Sequence, residues 1–114
     1  MIINNSMTLY HKEFENHQDV WVRYNYSKVW WFGGKGASIN KGYQNADDVQ
    51  IRIPYRDNDN LDISNFAIGD IVVKGTFDLD ITTQQDLDGY EFYNITSISD
   101  NQFGNEKHIR IGGK

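Results

Sequence analysis

The stretch that decides the fold is residues 20–32, which reads VWVRYNYSKVWWF. Apolar or aromatic residues stand at every second position over residues 20–26, as in a β-strand that buries one face. The apolar series then continues on odd positions, at Val29 and Trp31. A slip of one residue exchanges the two faces of a strand, so the sequence predicts a bulge or a sharp bend at Ser27-Lys28.

Alternation of period two also recurs along the rest of the chain, and helical periodicity is nearly absent. A short strand is predicted at residues 7–10, followed by a polar connection over residues 11–19. A returning strand is expected at residues 38–43. At most one short helical turn is expected, at residues 83–87, with Thr82 or Thr83 as its cap.

This pattern predicts a single all-β domain over residues 1–114, a small antiparallel β-barrel or sandwich of six to seven strands with long polar loops. Residues 1–6 are expected to be disordered or an additional segment, with Met7 as an alternative start. The glycines near the end, Gly112 and Gly113, predict a mobile tail.

Composition limits the function. The chain has 114 residues, no cysteine and a net charge of −5 with a pI near 5.0. The missing cysteines exclude disulfides and thiolate metal sites. The few, scattered basic residues argue against sequence-independent DNA binding. The sequence has no apolar run long enough to span a membrane as a helix, so no membrane association is expected.

No pattern of residues predicts catalysis, a metal or a cofactor. The segment that begins at Asp57 resembles a calcium loop, but Asp62 stands where that loop needs glycine and Ile68 where it needs glutamate. Asp78 and Asp80 could share a proton as an acid–base pair, although a solvated acidic loop is the simpler interpretation. The sequence therefore predicts a protein that is not an enzyme.

The adjacent tryptophans Trp30 and Trp31 are the most informative local feature. Neighbouring strand residues point to opposite faces, so both cannot enter one core. Either a second layer covers the other face, or one tryptophan is exposed. An exposed tryptophan is typical of a protein–protein anchor or of a stacking platform for single-stranded nucleic acid.

Several segments in order resemble small proteins of the head–tail module of tailed phages and prophages of Gram-positive bacteria, known as minor capsid, head–tail connector or head-closure (stopper) proteins. The resemblance covers residues 7–114 and is carried by the following segments: 7–12, Trp21 with Arg23, Val29-Trp30, 45–55, 69–75, 95–101 and 108–114.

The resemblance implies a structural protein of the phage neck that forms a ring, closes the head and docks the tail. It does not separate stopper, adaptor and tail-completion roles. The implied partners are connector proteins on the portal–adaptor and tail sides and further copies of this chain, which could be a monomer when isolated. Genomic DNA would pass nearby without sequence-specific binding. The implied location is the virion, and the bacterial host cytoplasm during assembly.

The candidate interface residues come from the tryptophans, the glycine turn, two polar loops and the end of the chain: Trp30, Trp31, Lys35, Arg56, Asp57, Asp59, Asp62, Asp78, Asp80, Asp86, Asp88 and His108. The loops over residues 56–65 and 78–89 are expected to face the channel or to become ordered on a partner. The alternative function is a phage-encoded acidic inhibitor or regulatory binding protein, with DNA mimicry as one mode.

Overall fold

The computed structural model describes residues 3–34, 48–104 and 106–114. Six antiparallel strands close into a barrel in the order β1-β2-β3-β6-β5-β4. The strands are β1 (Asn5–Glu15), β2 (Gln18–Gly33), β3 (Val49–Pro54), β4 (Ile71–Lys74), β5 (Phe92–Asn101) and β6 (His108–Gly113). The all-β prediction is confirmed, and the sheet is a closed barrel.

Among the described residues two short 3-10 helices interrupt the loops, where at most one helical turn was expected. The predicted one is Gln84–Leu87, and the carboxylate of Asp86 accepts hydrogen bonds from the backbone N–H groups of Thr82 and Thr83. The unexpected one is Ile63–Asn65, which Asp62 caps by accepting from the backbone N–H of Ser64. The strand predicted at residues 38–43 lies outside the described residues.

The predicted polar connection over residues 11–19 is wrong. β1 continues to Glu15 and β2 begins at Gln18, joined by a tight turn in which Asn16 and His17 have φ of 50° and 65°. Residues 11–22 form a two-stranded arm that extends beyond the part of β1 that pairs with β4. Its side chains are exposed or half-buried, so the arm lacks the alternation that marks a strand on a core.

The N-terminus also differs from the expectation. Asn5 and Ser6 belong to β1 rather than to a disordered segment. Asn4 is held against β2, because its side chain accepts from the backbone N–H of Trp31 at 2.8 Å and donates to the Trp31 carbonyl at 3.0 Å. Residues 4–6 are ordered because they extend the pairing of β1 with β2.

The bulge predicted at Ser27-Lys28 is confirmed. The register of β1 with β2 shifts by one residue between Met7↔Tyr26 and Asn5↔Val29. Tyr26 and Val29 are both fully buried across that shift. The phase slip in the sequence therefore marks the place where β2 exchanges its two faces.

Asn58 fixes the bulge from outside the sheet. This buried side chain donates to the carbonyl of Lys28 at 2.8 Å and to that of Pro54 at 2.9 Å, and accepts from the Lys28 N–H at 3.4 Å. Asn58 belongs to the plug, which we define as residues 55–66. Leu61 and Phe66 of the plug pack into the barrel core, and the Phe66 ring stacks on Tyr26 at 5.7 Å.

A second layer covers one side of the barrel. Tyr10, Ile71 and Val73 form a buried cluster separate from the main core, together with Ile81 and Leu87. The last two residues come from the covering loop, which we define as residues 75–91. This loop explains the unbroken apolar run of β4, because that strand is buried on both faces.

The mobile tail predicted for the C-terminus is also wrong. Gly112 and Gly113 are buried in β6, and Gly113 pairs with Val49 on one side and Ile95 on the other. A Cβ at Gly113 would lie 2.9 Å from Cγ2 of Val49 and 3.1 Å from Cβ of Tyr93. Glycine is therefore needed there for close packing.

We expect Asn58→Ala to lower the free energy of unfolding by about 1–3 kcal/mol, because it leaves buried backbone carbonyls without donors. Chemical denaturation followed by tryptophan fluorescence measures this change. Asn60→Ala is the matched control, since exposed Asn60 makes a single hydrogen bond to the Asn25 carbonyl. Equal losses in the two variants would contradict the role assigned to Asn58.

We expect Gly113→Ala to destabilise the fold by about 1–3 kcal/mol, since overpacking forces neighbouring atoms to move. Thermal unfolding of the full-length chain, monitored by circular dichroism, provides the measurement. A variant as stable as the parent would show that β6 does not pack as tightly as described.

Candidate functional site

The side chains of the two adjacent tryptophans point to opposite faces of the barrel wall. Trp31 points into the core and is 4% exposed, near the ring of Tyr93. Trp31 is therefore a core residue and not an interface residue, which corrects that candidate. Trp30 and Phe32 point outward, with Trp30 half-buried and Phe32 63% exposed. Their rings are parallel within 3°, with centroids 5.6 Å apart.

Arg52 joins this aromatic pair from the neighbouring strand. Trp30 and Arg52 are direct partners in the β2–β3 register, and the Arg52 guanidinium lies 4.9 Å from the centroid of the Trp30 ring. A guanidinium at this distance is attracted by the negative face of the indole. The contact positions the cation beside the aromatic pair.

Beyond Arg52 the outer face of the sheet forms a cleft of about 260 Å³. Its lining comes from three neighbouring strands, and every one of these residues can donate a hydrogen bond. The lining residues are Arg52, Ser99, Asn101, His108 and Arg110. We call this the donor cleft, and we call the donor cleft with Trp30 and Phe32 the aromatic–donor face.

The charges of the donor cleft are not balanced within the described chain. Arg52 and Arg110 stand directly opposite each other on β3 and β6, an arrangement of like charges that destabilises a sheet. No described carboxylate forms an ion pair with either guanidinium. The Nε of Arg52 is buried without a hydrogen-bond partner. The cleft is thus suited to an oxyanion such as a carboxylate, which arginine binds with two parallel hydrogen bonds.

The acidic candidates of the first polar loop lie on the plug. Asp59 is exposed, Asp57 is half-buried beside Arg56, and Asp62 caps the first 3-10 helix. Hydrogen bonds from the backbone N–H and the hydroxyl of Ser64 lower the pKa of Asp62 below its usual value. This loop is ordered by its own apolar residues.

The candidates of the second polar loop lie on the covering loop. Arg23 of β2, next to the arm, binds the carboxylate of Asp80 at 2.7 Å and the backbone carbonyl of Asp78. Backbone hydrogen bonds from Thr82 and Thr83 lower the pKa of Asp86. Asp88 is exposed at the C-cap of the second 3-10 helix. Arg23 binds the side chain of Asp80 but the backbone of Asp78, so the two residues do not act as a carboxylate pair.

The structure brings together only part of the predicted set. Trp30 and His108 share the aromatic–donor face, whereas the plug and covering-loop residues lie elsewhere. Lys35 lies outside the described residues. Sequence reasoning missed Arg52, Arg110, Ser99 and Asn101. The sequence feature that could have identified them is the composition of the outward positions of β3, β5 and β6, which carry these hydrogen-bond donors and no acidic residue.

A second polar cluster joins β1 to the turn before β4. The Nδ1 of His11 lies 2.5 Å from Oδ2 of buried Asp70, which also accepts from the backbone N–H groups of Lys12 and Ala67. These bonds tie the base of the arm to the turn, which gives the pair a structural role. Among the described residues no group of three His, Asp or Glu side chains is placed to hold a metal.

Within the part of the chain that the structure describes, no helix is long and apolar enough to cross a membrane. Neither the curated proteins nor the solved structures give a match to this chain. One family model matches residues 2–114, and its description is a family of unknown function, DUF6751. Because the match covers nearly the whole chain, the protein belongs to the DUF6751 family.

Proposed function

We propose that this protein is a non-enzymatic assembly component that binds carboxylate-bearing protein surfaces through its aromatic–donor face. The observation that carries the proposal is the outward Trp30–Phe32 pair beside Arg52 and Arg110, whose guanidiniums form no ion pair with any described carboxylate. Aromatic residues and arginine are the side chains that contribute most to protein interfaces. An arginine left without a partner in the isolated chain gains one when such a surface binds.

We further propose that the assembly is the head–tail connector of a tailed phage, as the resemblance of residues 7–114 implies. A closed barrel with an ordered plug and covering loop suits a ring subunit, because a rigid body keeps one geometry through the ring. Connector proteins on the portal–adaptor side and on the tail side would be the other partners. The protein would act in the virion, after assembly in the host cytoplasm.

The plug supplies a surface that would let DNA pass. Asp57, Asp59 and Asp62 lie together on one loop, beside the single basic residue Arg56. Carboxylates repel the phosphate backbone, so a channel lined by these loops would not hold the genome by attraction. This role needs no sequence-specific contact.

A second candidate function is binding of single-stranded nucleic acid on the same face. Stacked aromatics beside arginines are the platform that bases and phosphates use. The net charge of −5 opposes it, because such proteins normally follow the strand with a basic groove. We therefore favour the protein partner.

We expect Phe32→Ala and Arg110→Glu each to weaken binding to connector proteins about tenfold or more, because interface aromatics and charge pairs are costly to remove. The measurement is co-purification of the tagged chain with the products of the genes beside its own, followed by native mass spectrometry. Phe14→Ala is the matched control, since Phe14 is 69% exposed but lies on the arm, outside this face.

The neighbouring genes provide an independent check. Portal, major-capsid and tail-tube genes beside this gene would support the connector, and a place in an accessory operon would count against it. If connector proteins bind the parent and Phe32→Ala equally well, the aromatic–donor face is not the interface. Tight binding of an oligonucleotide, lost in Arg110→Glu, would favour the second candidate.

A further inference from the structure

We infer that the partner of the aromatic–donor face is the covering loop of a second copy of this chain, so that copies associate head to tail. The inference rests on the proposed function and deepens it, because it names an occupant for the same face. The position, the charge and the exposed apolar surface of the covering loop all favour this occupant.

The two surfaces lie on opposite sides of the barrel. In the closed order β1-β2-β3-β6-β5-β4, the β3–β6 pair stands across from the β1–β4 pair. The donor cleft is built on β3, β6 and β5, whereas Ile81 and Leu87 of the covering loop pack on Tyr10 of β1 and on β4. One copy therefore cannot join its own two surfaces, and a contact between them must be intermolecular and heterologous.

Charge is divided between the same two sides. The aromatic–donor face has no acidic residue, whereas the covering loop and the neighbouring arm are rich in them. These acidic residues are Glu13, Glu15, Asp19, Asp78, Asp80, Asp86, Asp88 and Glu91. Complementary charge steers association and fixes its orientation, so each face is suited to the opposite face of another copy.

Only some carboxylates of the covering loop are available to bind another copy. Asp80 is paired with Arg23, and Asp86 is engaged by the backbone of Thr82 and Thr83. Asp78 and Asp88 are exposed, and their carboxylates form no ion pair among the described residues. We assign these two carboxylates to Arg52 and Arg110 of the next copy.

Apolar surface accompanies the charges on both sides. Leu79 and Tyr90 of the covering loop are 41% and 48% exposed, and Phe32 stands exposed on the opposite face. An apolar centre with a polar rim is the usual anatomy of an interface. The plug is the weaker alternative, because Asp62 is already bound to Ser64 and Arg56 would repel the donor cleft.

The test uses reciprocal charge reversal on the full-length chain. Sedimentation velocity and native mass spectrometry follow self-association as the protein concentration is raised. We expect Arg110→Glu alone and Asp88→Lys alone each to raise the dissociation constant about tenfold or more. A one-to-one mixture of the two variants should recover association, because both contacts between unlike variants join opposite charges: the reversed pair in one direction and the native Arg110–Asp88 pair in the other.

Cysteine cross-linking identifies the surfaces directly, because the natural chain has no cysteine. Ser99→Cys combined with Gln85→Cys, an exposed position of the covering loop that leaves Asp78 and Asp88 in place, should give a ladder of disulfide-linked multimers under mild oxidation. Ser99→Cys combined with Asp59→Cys is the matched control, since Asp59 is an exposed aspartate on the plug. The ladder should be about tenfold stronger in the first pair than in the second.

The results distinguish this inference from the proposed function. A parent chain that stays monomeric, with a ladder no stronger than the control, overturns head-to-tail association. If connector proteins still lose binding to Phe32→Ala in that case, the face is an interface for a different protein and the proposed function stands. Unchanged association in both charge reversals also overturns the inference, whereas an oligonucleotide that binds the parent and not Arg110→Glu overturns both proposals.

Discussion

The rest of the structure depends on the bulge at Ser27-Lys28 and on the Asn58 side chain that holds it. Before the bulge, Tyr26 fills the core; after it, Val29 and Trp31 do. Without the inserted residue, even positions would stay inside, so Trp30 would enter the core and Trp31 would face solvent. The outward placement of Trp30 and Phe32 therefore depends on a buried amide that satisfies the backbone groups that the bulge removes from the ladder.

A polar chain of this length closes a barrel by using its loops as a second layer. The plug packs Leu61 and Phe66 into the main core, and the covering loop places Ile81 and Leu87 on the outside of β1 and β4. Few apolar residues are needed because each loop contributes two or three at defined positions. The remaining loop positions are free to be acidic, which explains how the same segments both stabilise the fold and carry charge.

Sequence patterns predicted the features that depend on local alternation. The bulge, the all-β class and the helical turn at residues 84–87 each follow from neighbouring residues. Residues 11–19 of the arm were missed because the side chains of this ribbon are exposed or half-buried, so no buried face marks them in the sequence. The buried end of β6 was missed because Gly112 and Gly113 resemble a mobile tail. Their adjacency in one strand showed that Trp30 and Trp31 point to opposite faces of the sheet. Only the closed barrel shows which of these faces lines the core. The donor cleft joins positions 52, 99 and 110 of three strands, and its composition becomes visible only once their register is known.

The division of charge has a consequence for how copies would meet. Each copy carries a net charge of −5, so two copies repel at long range, while the two complementary faces attract at contact. Salt at physiological strength screens charges beyond about 8 Å but acts less on pairs that become buried. Long-range repulsion is then reduced more than the contact itself, so head-to-tail association would be strongest at intermediate rather than very low salt. On the proposed association, a chain with this balance would stay dispersed when dilute and would assemble where a template holds copies together, since a raised local concentration overcomes the repulsion.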